Sequence, residues 1–310
     1  MTTEPVRTQR VSLRAELVRL GTRLIIKPAS RGRSLAASRK TFRFMAHLAP
    51  PPPRGTKTTH IDAGGVPAES IVRPGALAGR HVLYLHGGGY CLGSPANYRH
   101  FSWRIADAAR APVLAITYRL APEHPFPAAL EDALAAYRWL LARGVKEIVV
   151  MGESAGGGLT LALLMKLRDE NLPLPRAAVA ISPWTDLALT GASLTDNADA
   201  DPMLNVEDLP PFAAGYLAGS DPHDPYVSPL YGDPSGLPPV LVMAGGDEIL
   251  RDDAVRMGEK LRRANPQSDL QVWPRMVHAW PLFATVMPEA RAAIAEIGAF
   301  VARQAGARDI

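Results

Sequence analysis

A single cysteine, Cys91, stands in the 310 residues, so no disulfide can form within the chain and a disulfide-stapled scaffold is excluded. There is no run of about 18 uncharged apolar residues to cross a bilayer, and no signal-like apolar stretch follows Met1. Together these absences point to a reducing cytoplasm as the expected location. Aromatic residues make up only 6% of the chain, and the first 57 positions hold just Phe42 and Phe44. What is present is an ordinary globular composition, 47% hydrophobic with 34 basic and 30 acidic residues, which rules out a disordered or collagen-like chain and leaves room for a large core.

The small net charge of +4 hides an asymmetry. Residues 1–57 carry 13 Lys and Arg against Glu4 and Glu16, a net +11, whereas the rest of the chain is at −7. A basic arm invites nucleic acid, but this one lacks interleaved aromatics and matches no nucleic-acid motif, so no nucleic-acid partner is expected. Leu13, Leu17, Leu20 and Leu24 recur at helical spacing, with Arg10, Arg14, Arg19 and Arg23 mostly off that face. The expectation is an amphipathic helix docked on the acidic body. Anchoring to a membrane would call for interfacial aromatics that the arm mostly lacks.

The tract Pro50-Pro51-Pro52-Pro53-Arg54-Gly55 ends the arm, which divides the chain into a helical arm at 1–50 and a body at 51–310. In the body, short β-branched runs alternate with helical patterns. The expected strands are His81–Leu85, Pro112–Thr117, Glu147–Met151, Ala177–Ile181, Val240–Ala244 and Leu270–Trp273. The expected helices are Tyr98–Ala109, Pro127–Ala142, Ala155–Glu170, Asp252–Ala264 and Glu289–Gln304. Such alternation means crossover units on a mostly parallel sheet, an α/β fold. Residues from about Asp186 to Gly236 break the rhythm and read as an insertion capping the sheet.

Chemistry concentrates at the ends of the strands. Gly152-Glu153-Ser154-Ala155-Gly156 follows an apolar run and opens a helical pattern, the setting in which a tight turn pushes a serine hydroxyl out of the sheet as a nucleophile. His86-Gly87-Gly88-Gly89 also follows a strand, and successive glycines let backbone N–H groups approach a substrate carbonyl. Gly88, Gly89 and Ala155 would supply the oxyanion donors, with His86 orienting the loop. A serine needs a base and an orienting acid, in the order Ser, acid, His. His278 lies just past the last strand, and Gly245-Gly246-Asp247-Glu248 places two carboxylates at the end of an earlier one. Local chemistry leaves Asp247 and Glu248 even.

These residues carry a resemblance. HGGG, then Tyr118-Arg119-Leu120-Ala121-Pro122-Glu123-His124-Pro125-Phe126-Pro127-Ala128-Ala129, then GESAGG, resemble the hormone-sensitive-lipase-like bacterial esterases of the α/β-hydrolase fold over roughly residues 58 to 305. The resemblance implies a carboxylic-ester hydrolase with no cofactor and a cap built from the N-terminal helices and the insertion. The string Glu248-Ile249-Leu250-Arg251-Asp252 matches the family's acid segment and favours Glu248, although the family usually has Asp there. Glu153 likewise stands where the family usually has Asp.

Tyr90, Trp184, Leu204, Phe212, Ile249 and Trp280 flank these loops or lie in the presumed cap and are candidates to line the substrate site. Cys91 could sit at its mouth or be a buried thiol. Asp252 and Asp253 read as carboxylates stabilising a helix N-terminus, and no metal motif is present. The expected partner is a small ester of short to medium chain. A lactone would undergo the same attack, and a receptor that has lost catalysis is the alternative from another class. The family resemblance also allows a homodimer through a sheet edge.

Overall fold

The structure, a computed structural model, describes residues 11–48 and 50–306. Eight strands form one sheet: β1 (Lys57–Asp62), β2 (Pro67–Val72), β3 (Arg80–Leu85), β4 (Val113–Ile116), β5 (Glu147–Glu153), β6 (Ala177–Ile181), β7 (Val240–Gly245) and β8 (Asp269–Trp273). Their spatial order is β1-β2-β4-β3-β5-β6-β7-β8, parallel from β4 onward, with β1 and β2 antiparallel at one edge. The described helices are α1 (Leu13–Gly21), α2 (Lys27–Ser30), α3 (Leu35–Leu48), α4 (Pro95–Ala108), α5 (Ala128–Ala142), α6 (Ala155–Asp169), α7 (Ser193–Asp196), α8 (Leu209–Leu217), α9 (Arg251–Ala264) and α10 (Pro288–Gly306).

The six strands β3 to β8 were legible as apolar runs, most fully in β3 to β7, where helices cover both faces. Along β3, Val82 and Tyr84 join the cluster built with α4 and α10, while Leu83 and Leu85 join the one built with α5 and α6. The antiparallel pair went unforeseen. Most of β1 is exposed, and its residues Lys57-Thr58-Thr59-His60-Ile61-Asp62 have no apolar face to betray a strand. In β2, Pro67 and Glu69 interrupt the pattern.

Residues 186–236 leave the sheet after β6 and carry α7 and α8 before rejoining it at β7. Asp252 and Asp253 do lie in the first turn of α9, where Asp252 pairs with Arg251 through one oxygen, and both also hold the chain that follows β6. Asp253 accepts from the Thr185 and Asp186 N–H groups at 2.7 and 2.8 Å, and Asp252 from Ser193 N–H at 2.9 Å.

The basic arm is helical, as expected, and it docks, but by the opposite face. Arg10 lies outside the described residues. A π-helical turn, Thr22–Ile26, joins α1 to α2. Ala15 and Thr22 are buried against the body, whereas Leu13, Leu17, Leu20 and Leu24 all point to solvent. Polar contacts decide the orientation. Ser12 donates to Glu289 through its N–H and its hydroxyl, at 2.7 and 2.9 Å. Arg275 forks onto Glu16 at 2.8 and 2.9 Å, and Arg19 pairs with Asp247 at 2.7 Å. Further along, Lys27 donates to the Ala198 and Asp201 carbonyls, and Arg39 forks onto Glu123 while also holding the Cys91 and Ala121 carbonyls.

Candidate active site

Ser154 sits between β5 and α6 with φ +57° and ψ −125°, a backbone conformation few L-residues adopt and one that lifts the side chain clear of the strand. The turn closes only because its neighbours lack side chains. A Cβ on Gly152 would fall 2.3 Å from the Gly156 carbonyl oxygen, and one on Gly156 would fall 2.0 Å from that of Leu85. Ser154 N–H donates to Ile181, and its carbonyl accepts from Trp184, at 2.9 and 3.0 Å, so the strained residue is pinned to β6 and the chain after it.

The glycine loop leaves β3 beside that turn. Gly88 and Gly89 have φ of +116° and +60°, and a Cβ on Gly88 would fall 2.3 Å from the Leu92 carbonyl. Among the described residues no acceptor takes the N–H of Gly88, Gly89 or Ala155, the last being the first residue of α6, where helix geometry leaves the donor free. His86 is enclosed. Its ring stacks 4.3 Å from Tyr118 and 5.7 Å from Tyr98, and burial pushes its pKa down to about 4, so the ring is neutral. The Tyr118 hydroxyl donates to the His86 carbonyl at 2.7 Å. This explains one role of the long YRLAPEHPFPAA string, which is to brace the glycine loop from behind.

Glu153 is the residue that sequence reasoning undervalued. Its carboxyl accepts from the Gly87 N–H and, at 2.6 Å, from the Tyr84 hydroxyl, so it ties the glycine loop to the serine turn. Burial pushes its pKa up to about 8. The signal was its position inside the motif and its departure from Asp.

On the other side of the turn, Glu248 and not Asp247 meets the histidine. His278 Nδ1 lies 2.5 Å from Glu248 Oε2, and Glu248 Oε1 accepts from Gly245 N–H at 2.6 Å. Both side chains are buried. Burial favours a neutral His278 ring, but the hydrogen bond and charge of Glu248 outweigh it and hold the pKa above the ordinary imidazole value. Asp247 turns away to Arg19, which also donates to the Arg275 carbonyl at 2.8 Å. Three supports for this pair carried no local signal in the sequence. Asn197 donates to the Glu248 carbonyl at 2.9 Å, Asp201 accepts from Ile249 N–H at 2.9 Å, and Ser182 accepts from Ala279 N–H at 3.0 Å.

Of the candidate lining residues, Tyr90, Trp184, Leu204, Phe212 and Ile249 belong to one apolar cluster. Trp280 does not. It is fully buried with α4 and α10 on the opposite face of the sheet, its ring tilted 41° to that of Trp273 at 5.6 Å. Tyr90, with φ +60°, is held by a 3.7 Å stack on Tyr216 of α8. A Cβ at Gly89 would fall 2.8 Å from the Phe212 ring, so the insertion lies directly over the glycine loop. Cys91 is buried and its thiol is pushed up to about 12 by burial, far from a reactive thiolate.

Known proteins share this fold. A family model for the alpha/beta hydrolase fold matches residues 82–282. An acetyl-hydrolase of Streptomyces hygroscopicus is 48% identical over 237 residues, 76% of this chain and 79% of that protein. The crystal structure of an esterase from the bacterial hormone-sensitive lipase family superposes with a TM-score of 0.90 at 44% identity, covering 96% of this chain and 100% of the other. The structure of EstE5 soaked with p-nitrophenyl butyrate superposes at 0.89 with 39% identity, covering 94% of this chain and 99% of the other. The chain belongs to the alpha/beta hydrolase fold family and, within it, to the carboxylesterases of the bacterial hormone-sensitive lipase group.

Proposed function

We propose that the chain hydrolyses small carboxylic esters of short to medium acyl length through an acyl-enzyme on Ser154, with His278 as base and Glu248 as its orienting acid. The observation that carries this reading is the buried 2.5 Å contact between Glu248 and His278, held at the same end of the parallel sheet as the Ser154 turn. His278 Nε2 takes the hydroxyl proton as Ser154 Oγ attacks the ester carbonyl carbon. The resulting oxyanion is met by the free N–H groups of Gly88, Gly89 and Ala155. Collapse of the tetrahedral species breaks the ester C–O bond, and the imidazolium returns its proton to the leaving alkoxide. Water, deprotonated by the same ring, then releases the acid. Glu248 accepts the Nδ1–H throughout and stabilises the imidazolium.

The arm at 1–50 and the insertion at 186–236 serve as the cap. Phe212 and Leu204 of the insertion meet Tyr90, Trp184 and Ile249 of the body in one apolar cluster, which suits an acyl chain, while Trp280 lies in the core on the other face of the sheet. The relatives support the short end of the range, one being named for acetyl release and another having been soaked with a butyrate ester.

A panel of p-nitrophenyl esters from acetate upward, with a seven-membered lactone beside them, tests the reading. Turnover should peak among the short esters, and Ser154→Ala should abolish both turnover and covalent labelling by a serine-directed phosphonate. Labelling that persists in Ser154→Ala would overturn the nucleophile assignment, and preference for the lactone would move the substrate class.

A further inference from the structure

Seven of the ten exposed large hydrophobic side chains among the described residues lie on the N-terminal arm. Leu13, Leu17, Leu20 and Leu24, continued by Ile25, make one unbroken outward stripe along α1 and the turn after it, and Leu13 and Ile25 are 76% and 70% exposed. Scattered exposed leucines are normal on a protein surface, but a contiguous stripe along one helix face is not. The unpaired charges around it among the described residues are of one sign. Glu16, the only carboxylate of α1, is neutralised at the rim by the fork of Arg275, while Arg14 and Arg23 are exposed and fall on opposite flanks of the stripe. Phe44 and Met45 on α3 add a second exposed apolar pair beside the exposed Lys40 and Arg43.

We propose that this face of the arm seats on an anionic phospholipid surface, the leucines entering the headgroup boundary and the flanking arginines meeting lipid phosphates. An apolar face whose uncompensated flanking charges are cations is what such a surface complements. A second copy of the chain fits less well, because symmetric pairing would bring two arms of net +9 together. The residues before Val11 offer only Met1 and Val6 as large apolar cover and add Arg7 and Arg10. Among the described residues no helix is long and apolar enough to span a membrane, so the arm would lie in the surface plane. The orientation has a consequence for catalysis. Arg19, on the face of α1 opposite the stripe, grips Asp247 and the Arg275 carbonyl, which flank Glu248 and precede His278. A surface touching the stripe therefore lies at the end of the sheet that carries Ser154, Glu248 and His278.

Co-sedimentation of the full chain with vesicles of phosphatidylcholine alone, or mixed with phosphatidylglycerol, tests this. The native chain should pellet with the mixed vesicles and much less with phosphatidylcholine. Leu17→Ser/Leu20→Ser/Leu24→Ser should lose binding by tenfold or more, and Arg14→Gln/Arg23→Gln should lose about tenfold together with the preference for anionic lipid. Both variants should keep turnover of soluble p-nitrophenyl acetate, which reports an intact fold, and Ser154→Ala should bind vesicles as the native chain does, which separates this inference from the catalytic one. Failure of the native chain to bind, or undiminished binding by the leucine variant, would overturn the proposal. So would native dimers that the leucine variant converts to monomers without any vesicle binding, since the stripe would then be a self-interface.

Discussion

The helices of the body and of the arm carry similar apolar periodicity and use it in opposite senses. In α6, whose Leu159, Leu163 and Leu167 follow an i, i+4, i+8 spacing, the leucines are buried and the fold is built by removing them from water. In α1 the comparable leucines face out, and the helix is seated instead by Ser12, Glu16 and Arg19 on Glu289, Arg275 and Asp247. An apolar stripe thus marks a face that has a use, and only the competing polar partners decide whether that use is the core. Where the body offers Glu289, Asp247 and Arg275 in register with one face of a short helix, directional contacts determine the orientation.

The sharpest break between the regions should appear in catalysis, because Glu248 and Asp247 are adjacent and belong to opposite sides of this divide. Glu248 faces His278 in the buried site, while Asp247 faces the arm. Glu248→Gln should cost about 10³ in kcat with little change in KM, since a neutral amide cannot stabilise the imidazolium formed as Ser154 attacks. The pH profile carries the sign. His278 must be neutral to accept a proton, and Glu248 holds its pKa above the ordinary value, so kcat/KM of the native chain should rise through a pH above that value. Removing the charge leaves burial dominant and should shift that limb to lower pH even as the rate falls. Asp247→Asn should leave the limb in place; if it moved instead, the acid assignment would change hands.

Stability should divide the regions next. Leu163 is fully buried between α5, α6 and the sheet, so Leu163→Ala should lose about 3 kcal/mol in urea unfolding. Leu20→Ala, at the same residue type in a helix of the arm, removes side chain that is already in water and should change stability by less than about 0.5 kcal/mol. Equal losses would mean that the stripe is covered in solution.

What was legible in the sequence follows from the same distinction. The inner strands, the five long body helices, the serine turn and the glycine loop could be read because each has a local cause: burial on both faces of a strand, a helical period, or a backbone that only glycine permits at Gly152 and Gly88. The choice between Asp247 and Glu248 rested on resemblance, because which of two neighbouring carboxylates points at His278 is settled by contacts from residues far away. Asn197, Asp201 and Arg19 provide those contacts from the insertion and the arm, at sequence separations no local pattern spans. Trp280 was misplaced for a related reason. It follows His278 by two residues, but the intervening Ala279, at φ +49°, turns the chain so that the indole enters the opposite face of the sheet.

The smallest effect tests whether the arm is merely docked or helps to hold the site. Arg19 joins the Asp247 segment to the Arg275 segment from the arm, and those two segments carry Glu248 and His278 respectively. Its side chain is only 12% exposed and that of Asp247 only 23%, so the pair is partly shielded from water. Arg19→Ala should cost about 1 kcal/mol of stability, the range of a partly buried charged hydrogen bond. If the pair only fastens the arm, kcat should not follow. If it also keeps the two loops in register, kcat should fall by about fivefold with KM nearly unchanged, because a small displacement of an acid from its histidine acts on the transition state more than on binding. Arg19→Lys tests the bridge. Both contacts come from one nitrogen, Nη1, 2.7 Å from Asp247 and 2.8 Å from the Arg275 carbonyl, and a lysine ammonium with three donors can hold both in the same way, so it should recover the stability and, where the bridge keeps the loops in register, the kcat as well.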